Sequence, residues 1–547
     1  MLGADDLSNE LIEKVLLCAD LQTIGRCRQT CRRFNETAHH SISIQYLIEL
    51  AVDGLVDGPP GGWSVAERLQ AVRNRRAAWR AMQPTSVQIL PFSADDDEWI
   101  VHDRNHLFRQ SYSRRGFVTI RRPPCLYRGI PEKEWSIKGA FVELRWYPEE
   151  DLVVETVAET ETDGLPHGRT TLRLRSFETQ EDHPGAFNSI LNYGFLSGHE
   201  DVIDITAFNV ADDYLSFSCL RLANQDPLPG VSCRILVIYN WKTGVVVLRL
   251  ISEPAWDEMD YVLLTNQYLL LFHFDDGLAV ISVINLGVLH ETASKTGCPL
   301  TLSLSNLGVD SEVTVCRLQF PNLHRGGYIS TQLPKRPWRP RAEELQVPFY
   351  MNEDRLLTVI WENLYDRSLG VNILIPLATI HTCIQEADNQ KGKHLFTWEE
   401  WGIQGARVID RRQMRLNALG QCAMSAIYLE EADRDLGNWE GPGTRMFLYH
   451  FGRYAVRKHL ADLATGTASP GVGYSPKAIF EGGSYGQIVT ELPAIRVAIP
   501  ASVLKHSTQP DEYQLAVIVP GDDWLVLQYV RRNSVGFARF ETRLLTF

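Results

Sequence analysis

The stretch GGSYG at residues 482–486 has the Gly-x-Ser-x-Gly spacing of a hydrolase nucleophile elbow. Such an elbow places its serine on a sharp turn between a buried strand and a helix. Here the next residues are QIVTELP, which are β-branched and end at Pro493, and His506 is the only histidine downstream. These neighbours favour a glycine-rich hairpin, so we predict no catalytic residue in this stretch.

Acidic pairs could instead supply the acid and base of a glycosidase. They occur at Asp95–Asp97, Asp212-Asp213, Asp275-Asp276 and Asp522-Asp523. Aspartate is also a common turn residue, because its side chain accepts backbone hydrogen bonds and it tolerates tight backbone geometry. No spacing selects one pair, so we interpret them as turns and keep a hydrolase that uses paired acids as an alternative.

The sequence also bears on metal and cofactor binding. Cys27 and Cys31 precede His39 and His40, but the spacing fits no zinc pattern. The chain has no Cys-x-x-Cys pair, no Walker loop and no dinucleotide-binding fingerprint. We therefore expect no metal and no cofactor.

Composition limits the classes of partner and compartment. The 547 residues are 44% hydrophobic and carry a net charge of -13, which argues against broad binding to nucleic acid or to anionic membranes. The first residues, MLGADDLSNE, are acidic where a signal peptide needs positive charge, and no apolar run reaches the length of a bilayer span. The ten cysteines fall mostly in apolar runs, as buried thiols do in a reducing compartment. The expected protein is soluble and intracellular, in the cytoplasm, the nucleus or both.

The first 84 residues have the apolar spacing of helices. Ser8 and Asp20 are predicted caps of two helices, the second of which extends to Phe34. A third helical segment covers about 43–52, and GPPGG at 58–62 breaks the pattern. Ser64 with Glu67 then forms a capping box for a helix that ends before Pro84. We divide the chain into a helical module at 1–54, a linker and buttress helix at 55–84, and a β-rich domain at 85–547.

The β-rich part repeats one pattern, in which a polar turn, a variable residue and a leucine lead into a strand. The clearest cases are EEDLVVE (Glu149–Glu155), DDYLSF (Asp212–Phe217), NQYLLLF (Asn266–Phe272), EDRLLTVI (Glu353–Ile360) and GDDWLVL (Gly521–Leu527). The strands that follow them are TLRLRSF, ILVIYNW, AVISVIN, VNILIPL and VGFARF, and CAMSAIYL with MFLYHF is a sixth candidate pair. Repetition near every 50–60 residues predicts a β-propeller. The predicted fold class is α+β multidomain, a small helical module followed by a large all-β propeller of six to eight blades, with seven favoured.

The segment LSNELIEKVLLCADLQTIGRCRQTCRRF (Leu7–Phe34) resembles the F-box. That family has a Leu-Pro-x-Glu start, an Asp-Leu step and a Cys-Arg-x-aromatic end, and here Ser8 stands in place of the usual proline. The resemblance implies a module that binds the Skp-type adaptor of a cullin ubiquitin ligase. The residues expected to face the adaptor are Leu7, Ser8, Leu11, Ile12, Val15, Leu16, Leu21 and Ile24. The alternative is that these positions only form the core of a helical cap on the β domain.

One blade resembles a WD-type repeat. LSGHEDVIDITAFNVADDYLSF (Leu196–Phe217) is similar to the opening of such a repeat, and ILVIYNWKTGVVVL (Ile235–Leu248) is similar to its close. Asn240-Trp241 occupies the place of the family's Trp-Asp. The resemblance implies structural roles for His199 and Trp241, by hydrogen bonding and packing.

Two basic features remain. Residues 333–341 (LPKRPWRPR) and 431–443 are predicted to be long exposed loops, and the first is either a docking patch for an acidic partner or an insertion between strands. The helix that starts after Ser64 carries Arg73, Arg75, Arg76 and Arg80. We expect this basic face to be solvated or to pair with acids of the β domain.

With these two features the chain resembles a fungal-type F-box receptor. The resemblance implies a non-catalytic substrate receptor of an SCF-type ligase. Its F-box would bind the Skp-type adaptor and, through it, a cullin, while the β domain would recruit an unidentified protein target. The alternatives are an F-box scaffold that works outside any ligase and the propeller hydrolase already named.

Overall fold

A computed structural model describes most of the chain, in segments separated by short gaps. The described residues are 7–90, 98–102, 105–111, 117–138, 143–158, 170–192, 202–222, 231–252, 259–304, 307, 312–324, 327–339, 345–363, 370–390, 395–410, 421–422, 424–430, 445–469, 471–481, 487–505, 513–532 and 538–547.

Five helices form the first part of the protein. They are α1 (Asn9–Leu17), α2 (Leu21–Thr30), α3 (Arg32–His40), α4 (Ile42–Val52) and α5 (Val65–Ala81). The predicted second helix is wrong in its length, because extended backbone at Cys31 (φ -154°, ψ 158°) separates α2 from α3. The short strand β1 (Leu55–Asp57) lies between α4 and α5.

Two of the three predicted helix caps are confirmed. Asp20 Oδ1 accepts a hydrogen bond from the Thr23 backbone N–H at 2.7 Å. Ser64 and Glu67 form the full capping box at the start of α5. Ser8 occupies the N-cap position of α1, but its side chain makes no capping bond, so that part of the prediction is wrong.

Seven sheets of four or five mainly antiparallel strands follow, and they form the seven blades of a β-propeller. Blade 1 contains β3 (Glu98–His102), β4 (Leu107–Ser111), β5 (Phe117–Arg122) and β6 (Lys133–Lys138). Blade 2 contains β7 (Glu143–Tyr147), β8 (Leu152–Ala158), β9 (Thr170–Ser176) and β10 (Ile190–Asn192). Blade 3 contains β11 (Val202–Ala211), β12 (Tyr214–Leu222), β13 (Val231–Asn240) and β14 (Val245–Ser252), with β18 (Leu300–Ser303) added in parallel to β14.

Blade 4 contains β15 (Asp260–Leu263), β16 (Tyr268–Asp275), β17 (Leu278–Asn285), β19 (Thr314–His324) and β24 (Leu395–Phe396). Blade 5 contains β20 (Gly327–Gln332), β22 (Leu356–Asn363), β23 (Gly370–Pro376) and β25 (Arg407–Asp410). Blade 6 contains β26 (Gln421–Cys422), β27 (Ser425–Glu430), β28 (Arg445–His450), β32 (Ala494–Ile499) and β29 (Val472–Ser475). Outside the blades, β21 (Phe349–Met351) pairs with β1, and β30 (Ala478–Glu481) pairs with β31 (Gln487–Thr490).

Blade 7 closes the ring with strands from both ends of the β-rich part. It contains β33 (Tyr513–Pro520), β34 (Trp524–Arg532) and β35 (Ala538–Thr546). Its fourth strand is β2 (Ser86–Leu90), which pairs antiparallel with β35 and follows α5 directly. The first strands β11, β15 and β20 contact one another in turn, which places the first strand of each blade nearest the axis.

The repeated turn-x-leucine pattern is confirmed as one structural feature. In blades 2, 3, 4, 5 and 7 it marks the turn between the first and second strands. All these turns lie at the same ends of the inner strands, so they surround the channel on one face, which we call the turn face. Asp212 has a φ of 52° and Asp276, in the next turn of blade 4, a φ of 48°, as expected for turn aspartates.

Within the described residues of the propeller lie five helices that were not predicted from sequence. They are α6 (Leu286–Thr296), α7 (Leu377–Asn389), α8 (Trp398–Gly405), α9 (Arg453–Ala464) and the single turn α10 (Ala501–Leu504). Helices α6, α7 and α9 connect third strands to outer strands, which places them at the turn face. There α9 contacts α4 of the helical module.

The WD-like blade is blade 3, and its tryptophan has the structural role that was expected. Trp241 is 1% exposed, and its Nε1 donates to the Asp212 carbonyl at 3.0 Å. Asn240 Oδ1 accepts from the backbone N–H of Thr243 at 2.9 Å, which fixes the turn after β13. His199 and the GGSYG stretch lie outside the described residues, as do residues 431–443.

Candidate interaction sites

The predicted adaptor-facing residues divide into exposed and buried groups on the F-box helices. Leu11 and Val15, one turn apart on α1, are 48% and 58% exposed. Ser8 is also exposed, and Leu7 and Leu21 are half-buried against the local core. Ile12, Leu16 and Ile24 are each 1% exposed and pack inside the module. The structure therefore brings an exposed aliphatic stripe and its supporting core together on α1.

Two large aliphatic side chains are exposed to water on one face of this helix. Burying them against another surface would be favourable, so the stripe has the character of a surface that a partner covers. Arg33 of α3 forms hydrogen bonds to the start of α1. Its guanidinium donates to the Leu7 carbonyl, and its Nε donates to Asn9 Oδ1 at 3.1 Å. The start of α1 is thus held by the side chain of Arg33 from α3.

The helical module is connected to the propeller through the basic helix α5. Arg76 pairs with one acid of α4 and with the acid that caps its C-terminus, with Nη1 2.5 Å from Glu49 Oε2 and Nε 2.6 Å from Asp53 Oδ1. Burial raises the pKa of the Glu49 carboxyl, but the nearby Arg76 and other cations outweigh it, so the pKa is lowered. These ion pairs hold α4 and α5 together as one unit.

Arg75 reaches across to blade 7, as expected for pairing with acids of the β domain. Its Nε lies 2.8 Å from Asp523 Oδ1, and its Nη2 donates to the Asp522 carbonyl. The other oxygen of Asp523 lies 2.7 Å from Arg128 Nη1, in the one-turn helix of blade 1. Arg75, Arg128 and Asp523 are 7%, 0% and 4% exposed, so they form a buried triad.

The triad joins elements that are far apart in the chain. Arg128 Nε also donates to the Phe349 carbonyl in β21 at 3.3 Å. Asp523 therefore contacts α5 through Arg75 and blade 1 through Arg128. Arg128 in turn links it to β21, the strand that pairs with β1. Burial raises the pKa of Asp523, but Arg128 and Arg75 outweigh it and lower the pKa, so the carboxyl is ionised at neutral pH.

Residues 333–339 and 345–351, which we call the strap, run between β20 and β22 of blade 5. The prediction of a long exposed loop is wrong for the described part of this segment, because Lys335, Arg336 and Trp338 are half-buried and Pro337 is buried. Lys335 and Arg336 contact the turn face, and this contact covers the apolar stems of their side chains. The strap is therefore structural packing between the propeller and the helical module.

The contacts of the strap extend across the ring. Lys335 Nζ donates to the Trp146 carbonyl in blade 2. Arg336 Nη2 lies 2.9 Å from Asp212 Oδ2 in blade 3. The guanidinium of Arg122 in blade 1 stacks on the Trp338 ring, with its carbon 4.9 Å from the ring centroid. A segment that starts in blade 5 and reaches blades 1 to 3 crosses the channel mouth on the turn face.

The returning part of the strap is held by the helical module. β21 pairs antiparallel with β1, so Val56 is opposite Tyr350. The Pro348 carbonyl accepts from the Gly58 N–H at 3.0 Å and from the Tyr46 hydroxyl at 3.0 Å. Helices, strap and propeller are therefore stacked in that order.

A cavity of about 760 Å³ lies between the helical module and blades 5, 6 and 7. One wall contains Ser425 and His450, which are cross-strand neighbours with Oγ and Nδ1 2.8 Å apart. Burial and the nearby Arg80, Arg75 and Arg76 lower the pKa of His450 to about 4, so the ring is neutral at pH 7. Sequence reasoning missed this pair, because only the register of β27 against β28 brings residues 25 positions apart together.

No helix in the described part of the chain is long and apolar enough to cross a membrane. Among the described residues, no group of three or more His, Cys, Asp or Glu side chains is placed to hold a metal ion. Cys27 instead packs against the core of the F-box helices.

Comparison with known proteins adds one family. The protein-family model for the F-box domain matches residues 5–44. No curated protein matches the chain. Similar solved structures include Drosophila plexin A in complex with semaphorin 1b, at 9% identity and a TM-score of 0.31, covering 85% of this chain and 87% of that one. The WD40 domain of Toxoplasma gondii coronin has 7% identity and a TM-score of 0.27, with 79% and 91% covered.

Scores this low carry no functional inference, and the blade count comes from the strand pairing of the protein itself. The F-box match covers α2, α3, the start of α4 and α1, the helix that presents the exposed stripe. The chain therefore carries an F-box domain at residues 5–44, followed by a seven-bladed β-propeller.

Proposed function

We propose that the protein is a substrate receptor of a cullin-type (SCF) ubiquitin ligase. In this role the F-box binds a Skp-type adaptor and, through it, a cullin, and the propeller recruits a protein target. The observation that carries the proposal is the exposed Leu11–Val15 stripe on an F-box that is joined rigidly to the propeller by a buried ion triad. A receptor needs such a joint, because it sets the distance between a bound target and the ligase.

The arrangement supports target binding at the face opposite the turn face. The strap and the helical module cover the channel mouth on the turn face, where Arg336 pairs with Asp212 and Arg75 pairs with Asp523. The opposite face carries the turns between second and third strands, such as Asp275-Asp276-Gly277 of blade 4. Most of its other connections lie outside the described residues, so we assign no target-binding side chain.

The adaptor surface that we propose is the exposed part of the predicted set: Ser8, Leu11 and Val15, with Leu7 and Leu21 at its border. Ile12, Leu16 and Ile24 contribute by holding α1 against α2 and α4. Substituting an exposed residue therefore tests binding, whereas substituting a buried one tests folding.

The decisive experiment uses the full chain with purified Skp-type adaptor. The double variant Leu11→Asp, Val15→Asp should lose adaptor binding at least tenfold, because two charges would replace apolar contacts in the interface. Val65→Asp is the matched control, since Val65 is 40% exposed on α5 outside the F-box. Equal adaptor binding by the double variant and the control would refute the assigned surface, and no binding by wild type would refute the adaptor role.

The same variants separate a receptor from a scaffold. For a receptor, proteins captured by the propeller carry ubiquitin with wild type and lose it with the double variant. Unchanged ubiquitin on those proteins, with adaptor binding lost, would favour the scaffold that works outside a ligase.

A further inference from the structure

The cavity between the helical module and blades 5, 6 and 7 has the size and the lining of a ligand site. Its volume of about 760 Å³ lies within the range of small-molecule pockets in proteins. Large parts of the wall are apolar and come from blade 6 and α9, at Leu448, Phe451, Val456, Leu460, Ile495 and Val497. A few polar groups converge on this apolar surface, which is the usual composition of a binding pocket.

The charge of the wall opposes that of the whole protein. Five arginines and three aspartates line the cavity, a net charge of +2, whereas the chain carries -13. The arginines are Arg75, Arg76, Arg80, Arg453 and Arg457, and the aspartates are Asp53, Asp354 and Asp522. The neighbouring His450 is neutral at pH 7, so it does not change this balance.

Arg80 is a half-buried cation of the cavity wall that forms no ion pair among the described residues. Arg75 and Arg76 are each paired with a carboxylate, but among the described residues no carboxylate lies within ion-pair distance of Arg80. Its one hydrogen bond is a long contact of 3.5 Å from Nη1 to Ser469 Oγ. Burial and the positive charge of Arg76 lower the pKa of Arg80, which is the effect of a cation in need of an anion.

Two helices add positive potential to the same wall. α7 and α9 both begin at the cavity, after Pro376 and Gly452, and neither has a side-chain cap at its N-terminus. The N-terminal end of a helix carries a partial positive charge. Arg453 and Arg457 stand on the first two turns of α9, and no described carboxylate forms an ion pair with either of them.

We propose that this cavity binds a small organic anion, with an acidic head group at Arg80 and an apolar body along blade 6 and α9. The site is independent of the proposed ligase role. Because α5 forms one wall and the propeller the other, the ligand would contact both parts and stabilise the joint between them.

The test uses the purified full chain and the fluorescent dye 8-anilinonaphthalene-1-sulfonate, an anion with an apolar body. N-phenyl-1-naphthylamine, which has the same ring system without the sulfonate, is the neutral probe. We expect saturable binding of one dye per chain, and Arg80→Gln should raise the Kd of the sulfonate on the order of tenfold. The affinity for the neutral probe should remain the same.

Arg73→Gln is the matched control, since Arg73 lies two turns away on α5, is 44% exposed and does not line the cavity. Leu460→Trp is the second variant, because Leu460 is 39% exposed at the cavity wall, so a larger ring there should block both probes without disturbing the core. Equal sulfonate affinity in wild type and Arg80→Gln, or an unchanged signal in Leu460→Trp, would overturn the proposal.

Competitors then identify the head group. Displacement of the dye by dodecanoate but not by dodecyl phosphate assigns a carboxylate ligand, and the reverse result assigns a phosphate ligand. Equal displacement by neutral dodecanol would contradict the need for an anion.

Discussion

Arg75 of helix α5 and Asp523 of the blade 7 turn lie 448 positions apart in the chain, with Nε and Oδ1 2.8 Å apart in the buried core of the junction. Asp523 is shared with Arg128, so one carboxylate holds two cations. This relationship fixes the F-box against the propeller, because Arg128 belongs to blade 1 and Arg75 to α5, which the ion pairs of Arg76 hold against α4.

The first prediction concerns this triad. Asp523→Asn should lower the free energy of unfolding by about 3 kcal/mol, because it leaves two buried arginines without their counter-charge. Asp213→Asn is the control. It removes the Lys242–Asp213 ion pair, whose side chains are 43% and 41% exposed, and should cost less than about 1 kcal/mol. Urea unfolding of both variants at pH 7 measures the difference; similar losses would mean that the triad does not stabilise the junction.

The second prediction is the pH dependence of the same carboxyl. Its pKa is lowered in the folded protein, so its stabilising effect is complete above the unfolded value of about 4 and is lost as the pH falls through the lower folded value. The stability difference between wild type and Asp523→Asn should therefore be constant from pH 7 to pH 5 and shrink below about pH 4. Unfolding midpoints across that range would show it, and a difference that grows in acid would contradict the lowered pKa.

The third prediction concerns two glycines of the GPPGG stretch. A Cβ on Gly58 would lie 2.0 Å from the Val347 carbonyl oxygen in the strap, whereas a Cβ on Gly62 would meet nothing within 4 Å. Gly58→Ala should destabilise the protein by about 2 kcal/mol or more, because strap and helical module must separate. Gly62→Ala should be neutral or slightly stabilising. Thermal unfolding compares the two variants. Equal melting temperatures would show that the strap can move away from Gly58 without a loss of stability.

The fourth prediction separates the core of the F-box from its surface. Leu16→Ala should cost about 2–5 kcal/mol of local stability, since Leu16 is 1% exposed among the F-box helices. Val15→Ala, at 58% exposure, should change stability little and reduce adaptor affinity instead. Hydrogen exchange of residues 9–44 reports the first effect and adaptor titration the second. Faster exchange in Val15→Ala than in Leu16→Ala would contradict the assignment of core and surface.

Local patterns predicted much of the fold. The capping box at Ser64 and the turn-x-leucine units depend on residues a few positions apart, so one sequence is enough to find them. The tight turn after β13 is equally local, because Asn240 Oδ1 accepts the backbone hydrogen bond of Thr243 three residues on.

The rest depends on contacts between distant segments. The strap has the composition of a solvated loop, and only the acids of other blades, such as Asp212 for Arg336, make it packed structure. The break at Cys31 was missed, because the apolar spacing continues across it. The cavity depends on how α5 lies against blade 6, and no local pattern records that arrangement.

The closing strand has a consequence for biosynthesis. The F-box precedes the propeller in the chain, but the turn that pairs with Arg75 belongs to blade 7, and β2 pairs with β35. A chain shortened before Asp523 would retain every F-box helix and lack the fixed placement of those helices. The direction of the F-box helices relative to the propeller is therefore set only once blade 7 has been synthesised, and an unfinished chain would carry the Leu11–Val15 stripe in no defined orientation.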